Sequence, residues 1–394
     1  MQRDVRKDFI QYWEELGKAE EKSNIIDLGM GMPTPELLSS ALENTADFDF
    51  CYQHQELRPH YQPQAGTNIL RSKLAMLENW KTNQQYQLSH VMLTSGALRG
   101  FSLAINSLVN KARILPKFIE VVPSYPLLSG HVRNIIEGRG GSLETHLTKV
   151  RMNEDYADLQ ARDVTEHIDD NTIVFLTNPN NPTGRYLAPS VLREIIEVCE
   201  KHTDAYVIVD ECADIPFDNW QRERGILMRE SLIRIHSFSK QYLLAGIRLG
   251  YIVADPSLIE RFANDYCFSD GNAPIVANAA LLHYLEDDTL LEKISESARY
   301  HVESTIRLLR ETNTEYIKPE ACYYMLIKIG SPTPSWPLFK HLLDEGVNVL
   351  PGVLFGLPEN DSWLRICCAR PNDVLQSGLS RIIMGAAPVI ATEI

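Results

Sequence analysis

The run Ser237-Phe238-Ser239-Lys240, with an arginine eight residues further on in Leu244-Ala245-Gly246-Ile247-Arg248-Leu249-Gly250-Tyr251, decides how this chain reads. The apolar residues 232–235 before it predict a strand, so Lys240 falls just past a strand end. In parallel-rich sheets, ligands gather off the carboxyl ends of the strands. A lysine placed there with a second cation nearby loses its proton more easily, which is what an imine-forming lysine needs. Ser237 and Arg248 add a hydroxyl and a planar guanidinium, groups that suit a phosphate. Taken alone, the run is better explained by a solvated loop lysine.

The surroundings supply more. Asn178-Pro179-Asn180-Asn181-Pro182-Thr183-Gly184 closes a strand over 172–176 with consecutive turn formers. Asp210 ends the apolar strand 206–209, where a carboxylate is costly unless it meets a positive partner; a protonated pyridine nitrogen would be one. Thr94-Ser95-Gly96-Ala97 joins a strand over 91–93 to a helix that places Leu98, Phe101, Ile105 and Leu108 on one face. Free backbone N–H groups at such a helix start can hold an anion. Pro123-Ser124-Tyr125-Pro126 ends a strand over 118–122 and offers an aromatic face for stacking. With a further strand over 250–253, the alternation of short apolar runs and helix-period segments predicts a parallel-rich α/β sheet with helices on both faces. Beyond residue 280 the pattern changes to helices over 275–286 and 289–311, a strand over 323–329 and a helix near 336–345. We therefore expect an N-terminal segment (1–40) packed on a small α+β domain (286–394), with a large domain (41–285) between them in sequence.

In this order, Asn-Asn-Pro-Thr-Gly, the strand-end aspartate and Ser-Phe-Ser-Lys with its arginine resemble the class I/II aminotransferases, fold type I enzymes dependent on pyridoxal 5′-phosphate. The resemblance runs from about residue 27 to 379. It implies a large domain with a mostly parallel seven-stranded sheet. It also implies that Lys240 forms the internal aldimine and shuttles the proton, that Asp210 pairs with the pyridinium nitrogen, that Asn181 bonds the ring's 3′ oxygen and that Tyr125 stacks on the ring. Ser95, Gly96, Ala97, Ser237 and Arg248 would hold the phosphate. Tyr61 would reach the neighbouring subunit's phosphate, which implies a homodimer with shared sites. Arg365 would grip the substrate α-carboxylate with its guanidinium fork, and the backbone of Gly31 would line the substrate pocket.

Two departures qualify the likeness. Ala213 stands where the family usually has a tyrosine, three residues after the aspartate, and Glu320-Ala321-Cys322 stands where a Gly-Gly pair is usual. The tyrosine is also absent from some relatives that do not transaminate, notably the capreomycidine- and enduracididine-forming cyclases and the pyridoxal-phosphate-dependent arginine oxidases. Two outcomes of Cα deprotonation thus stay open: amino-group transfer to a 2-oxo acid, the leading expectation, and elimination, cyclisation or oxidation of an amino acid, including one with a guanidino side chain. Glu211, Asp214, Asp218 and Asp270 are either receptors for a basic substrate side chain or solvated surface charges.

Composition sets the outer bounds. With 38 Lys+Arg against 52 Asp+Glu the formal net charge is −14 over 394 residues, which argues against nucleic acid as a partner. The expected partners are small molecules, an amino acid and a 2-oxo acid. No apolar run approaches the roughly 18 residues of a membrane span, and the start Met-Gln-Arg-Asp-Val-Arg-Lys-Asp has no apolar core of a secretory signal. Seven cysteines without a CxxC pair predict reduced thiols in a cytoplasmic protein and no structural metal.

Overall fold

The computed structural model describes residues 8, 11–12, 15–16, 18–19, 25–29, 63–153, 156, 158–287, 289–330 and 334–391. Two predicted site residues, Gly31 and Tyr61, lie outside the described residues. The first elements in chain order are β1 (Ile26–Asp27), α1 (Asn68–Thr82), β2 (Val91–Thr94) and α2 (Ala97–Lys111). Then follow β3 (Lys117–Val122), α3 (Pro126–Gly138), β4 (Leu147–Arg151), β5 (Thr172–Thr177), α4 (Pro189–Cys199) and β6 (Tyr206–Asp210). The large sheet closes with β7 (Leu232–Ser237) and β8 (Gly250–Val253), followed by α5 (Pro256–Cys267).

These strands form a seven-stranded sheet in the order β2-β8-β7-β6-β5-β3-β4. β3 to β7 run parallel, and β8 is antiparallel to both its neighbours. All six residues of β5 are buried, which is why it reads as an unbroken apolar run: helices cover both faces of a parallel strand. α2, α3 and α5 pack on one face through Phe101, Val132 and Phe262, and α4 packs on the other through Leu192, Ile195 and Ile196. β4 was not anticipated. Its sequence Leu-Thr-Lys-Val-Arg buries only Leu147 and Val150, because an edge strand needs few apolar residues.

The remaining elements are α6 (Ile275–Tyr284), α7 (Leu290–Glu311), β9 (Glu315–Tyr316), β10 (Tyr324–Lys328), α8 (Ser335–Asp344), β11 (Val347–Asn348), β12 (Leu350–Pro351), β13 (Trp363–Cys367) and α9 (Asn372–Ala391). β12-β13-β10-β9 is an antiparallel sheet, while β1 pairs with β11 in parallel, Ile26 opposite Val347. The described N-terminal residues join the same core: Tyr12, Leu16 and Leu28 pack with Phe339, Leu342 and Leu379. Asp27 ties the join together, accepting from Asn348 Nδ2 at 2.8 Å and from its own Gly29 N–H at 3.0 Å.

Candidate active site

The parallel strands all end on one edge, and the residues at those ends line a cavity of about 280 Å³. Asp210 comes from the end of β6, Ser237 and Lys240 from the end of β7, Asn181 from the turn after β5 and Tyr125 from the turn after β3. Ala97, Arg248 and Arg365 join them, so the cavity lining unites eight of the residues expected from the sequence. Ser95 and Gly96 stand just behind it. The N–H and hydroxyl of Ser95 both meet Tyr266 Oη, at 3.1 and 2.8 Å, and Gly96 N–H donates to Thr94 O at 2.8 Å. Gly96 holds φ at +88°, and a Cβ there would lie 2.8 Å from Arg248 Nη2. Only glycine lets this turn approach the guanidinium so closely.

Lys240 sits one residue past Ser239 in the short helical turn Phe238–Gln241, capped by Ser237 Oγ accepting from Ser239 N–H at 3.1 Å. Burial, reinforced by the Arg365 charge, lowers its amine from 10.5 to about 8. Asp210 behaves in the opposite sense: burial raises its carboxyl, and the Cys212 N–H at 2.9 Å and the Cys212 thiol hold it back. Tyr125 is pushed up to about 12, chiefly by burial, so it presents a neutral ring.

Arg365 lies in the middle of β13, 6 % exposed. Its Nη1 donates to Asn181 Oδ1 at 3.0 Å and its Nη2 to Gly29 O at 2.9 Å. Phe355 and Tyr324 flank the guanidinium, with ring centroids 5.2 and 5.0 Å away. Among the described residues no carboxylate stands within 4 Å of it. A buried cation without its counter-ion is costly, so the arrangement is that of an anion receptor. Because Asn181 spends its oxygen on Arg365, its amide N–H₂ stays turned to other acceptors.

Sequence reasoning missed several cavity residues: Tyr12, Gly29, Cys212, Tyr324 and Leu350. The Tyr323-Tyr324 pair at the start of a predicted strand was a visible signal for one of them. Leu98 corrects an expectation. It is 38 % exposed and lines the cavity, as does Phe101, which like Ile105 and Leu108 is buried as expected. Ala213 does line the cavity, whereas Ala321 and Cys322 are buried without being part of its lining.

The four acidic residues also part company. Asp218 and Asp270 are exposed and meet Arg222 and Arg99. Glu211 and Asp214 are each 1 % exposed, so they are neither solvated nor in the cavity lining. Strand alternation turns Arg234, His236 and Glu211 away from the cavity, on the side opposite Asp210 and Ser237. There Arg234 bonds Glu78 at 2.7 Å and Glu211 at 2.6 Å, Arg224 reaches Asp214 at 3.3 Å and Lys81 reaches Glu78 at 3.4 Å. Glu78, Glu211 and His236 offer ligand atoms within 4.8 Å of one another, but the Arg234 guanidinium already binds both carboxylates. Burial lowers the His236 imidazole to about 3, leaving it neutral and stacked on Tyr251 at 4.4 Å.

Residues 23–382 match the family model of aminotransferase class I and II. The chain belongs to that family. This aminotransferase is 26 % identical over 388 residues to an aspartate aminotransferase of Pyrococcus horikoshii, covering 94 % of this chain and 92 % of that one. It is 32 % identical over 205 residues to a histidinol-phosphate aminotransferase of Geobacillus thermodenitrificans, 51 % of this chain and 54 % of the other. In fold it is similar to Thermus thermophilus aspartate aminotransferase with maleate, at TM-score 0.79 and 20 % identity over 98 % of this chain and 97 % of that one. The Escherichia coli protein YbdL, with a methionine aminotransferase function, gives TM-score 0.78 and 21 % identity over 95 % and 97 % of the two chains. The aminotransferase catalyses amino-group transfer and depends on pyridoxal 5′-phosphate, and these relatives favour transfer over elimination, cyclisation or oxidation. The cavity fits the cofactor: an amine with a lowered pKa, a buried carboxylate for a ring N–H, a flat aromatic face and an arginine against the Gly96 turn all open onto it. No described helix is long and apolar enough to cross a membrane.

Proposed function

We propose that amino-group transfer between a free L-amino acid and a 2-oxo acid is carried by Lys240, Asp210 and Tyr125, with Arg365 gripping the substrate carboxylate. The observation that carries this reading is the buried Arg365 guanidinium, without a carboxylate neighbour among the described residues, on the same cavity wall as a lysine whose amine is lowered to about 8. When bound, the cofactor supplies an aldehyde for the amino group and a ring that draws electrons from Cα. Lys240 Nζ would take the proton from the substrate Cα and hand it back across the nitrogen to the carbon on its other side, a task suited to an amine whose pKa is near neutrality. Asp210 accepts from the ring nitrogen and keeps it protonated. Tyr125 stacks on the ring, and Asn181 Nδ2 donates to the ring's 3′ oxygen. Ala97, Ser237 and Arg248 bind the phosphate, with Ser95 and Gly96 shaping the turn behind them. Gly31 and Tyr61 keep their proposed roles, Gly31 at the substrate and Tyr61 at the phosphate of a neighbouring subunit.

The protein is accordingly a cytoplasmic homodimer with an N-terminal segment over 1–40, a cofactor domain over 41–285 and a small domain over 286–394. Met76 and Trp80, exposed one turn apart on α1, supply apolar surface for such a dimer, and sedimentation velocity measures it. The decisive experiment is Lys240→Ala. Wild-type enzyme loaded with the cofactor should lose its visible absorbance band on adding an amino acid and regain it with a 2-oxo acid. The variant should lack that band and lose activity on the order of 10⁴-fold; a retained band would mean that another lysine does this work.

A further inference from the structure

The cavity wall holds a hydroxyl for which the fold provides no partner. Tyr324 opens β10, is 2 % exposed and lines the cavity, and its Oη has no hydrogen-bond partner among the described residues. A buried hydroxyl left unpaired costs stability, and native structures keep few of them. The register of β10 on β13 sets Tyr324 opposite Cys367 and Leu326 opposite Arg365, so Tyr324 and Arg365 are diagonal neighbours on one face of the sheet. The Arg365 guanidinium lies 5.0 Å from the Tyr324 ring centroid. Its two terminal nitrogens are steadied by Asn181 and Gly29, and its Nε has no partner among the described residues. One patch of wall therefore presents a cation with donors to spare and, beside it, a phenol with its proton to spare. Burial holds that phenol well above its usual 10, so it remains a donor at any working pH.

Building on the reading of Arg365 as the carboxylate grip, we propose that Tyr324 Oη donates a further hydrogen bond to the α-carboxylate of the bound amino acid, beside those of Arg365. A carboxylate has about four lone-pair sites, enough for a guanidinium fork and a phenol together. The cost of the idle hydroxyl in the empty protein is then recovered only when the carboxylate arrives.

Tyr324→Phe keeps the ring against the guanidinium and removes only the donor. The probes are 2-methylalanine, which binds but has no Cα proton to lose, and tert-butylamine, which puts a methyl group in place of the carboxylate and likewise has no Cα proton. Both are read by the shift they cause in the visible absorbance of the cofactor-loaded enzyme. In Tyr324→Phe the Kd for 2-methylalanine should rise about tenfold or more, with tert-butylamine unchanged. The melting temperature of the cofactor-free variant should hold or rise, the reverse of what a structural hydroxyl would give. Equal weakening of both probes, an unchanged Kd for 2-methylalanine, or a fall in melting temperature would overturn the proposal. Arg365→Met separates the two levels. If it leaves 2-methylalanine binding intact, the carboxylate-grip reading itself fails; if it weakens binding while Tyr324→Phe does not, only the assignment of Tyr324 falls.

Discussion

Behind β6 and β7, Glu78, Glu211 and Asp214 meet Lys81, Arg224 and Arg234; in front of the same strands, Asp210 and Arg365 face a cavity. The two groups are comparably buried, and they differ in pairing. Three acids answer three bases in the rear group, so its charge closes within the fold. In front, Asp210 has no cation within 4 Å among the described residues and Arg365 no anion. Buried charge that is matched in place belongs to structure, while buried charge left open is waiting for a ligand. The contrast assigns roles to charged residues that composition alone treats alike.

The largest effect that tests this contrast should come from the rear. Arg234→Met leaves Glu211 without its cation beside Glu78, which keeps only Lys81, and should cost about 3–5 kcal/mol in denaturant unfolding. Adding Glu211→Gln should restore part of it, since Glu78 keeps Lys81 at 3.4 Å and no uncompensated carboxylate then remains. In front, Arg365→Met should leave stability unchanged or improved. It should lower kcat/KM for an amino acid by one to two orders of magnitude, roughly the worth of a charged hydrogen-bonded contact. A stability loss in Arg365→Met as large as that of Arg234→Met would break the comparison.

The smallest effect is a slope. Lys240 titrates at about 8 in the fold and 10.5 in an unfolded chain. Between those values the unfolded chain binds a proton that the folded one does not, so the cofactor-free protein should gain stability as pH rises from about 8 to 10.5. The gain should be at most about 1.4 kcal/mol per pH unit. Below about 8 both states are protonated and the penalty is constant. Lys240→Met should flatten that part of the curve, measured as the difference in unfolding free energy between the two proteins across the window.

Much of the fold was legible because buried parallel strands must be apolar throughout. Residues 172–176 and 206–209 could be read as strands for that reason, while Leu147–Arg151 could not, since an edge strand may carry Thr, Lys and Arg. The front group was legible through its order along the chain, as Asn181, Asp210, Lys240 and Arg248 stand at strand ends that the sequence itself marks. Glu211 looked like any charge following Asp210, because its partners Glu78 and Arg234 are brought beside it only by packing. Leu98 fell on the apolar face of its predicted helix, yet it sits in the first turn, where the sheet ends and the cavity begins. Tyr12 and Gly29 reach the cavity through an N-terminal segment whose destination has no local signal.

That segment has a consequence for synthesis. Gly29, which steadies Arg365, is made more than 300 residues before it, and β1 has no strand to pair with until residues 347–348 have emerged. A ribosome-bound chain halted before residue 347 would carry Asp210 and Lys240 on a sheet already able to form, while its opening residues still lacked their docking strand. The grip on the amino acid is therefore finished late, when β1, made more than 300 residues earlier, docks on β11 and brings Gly29 to Arg365.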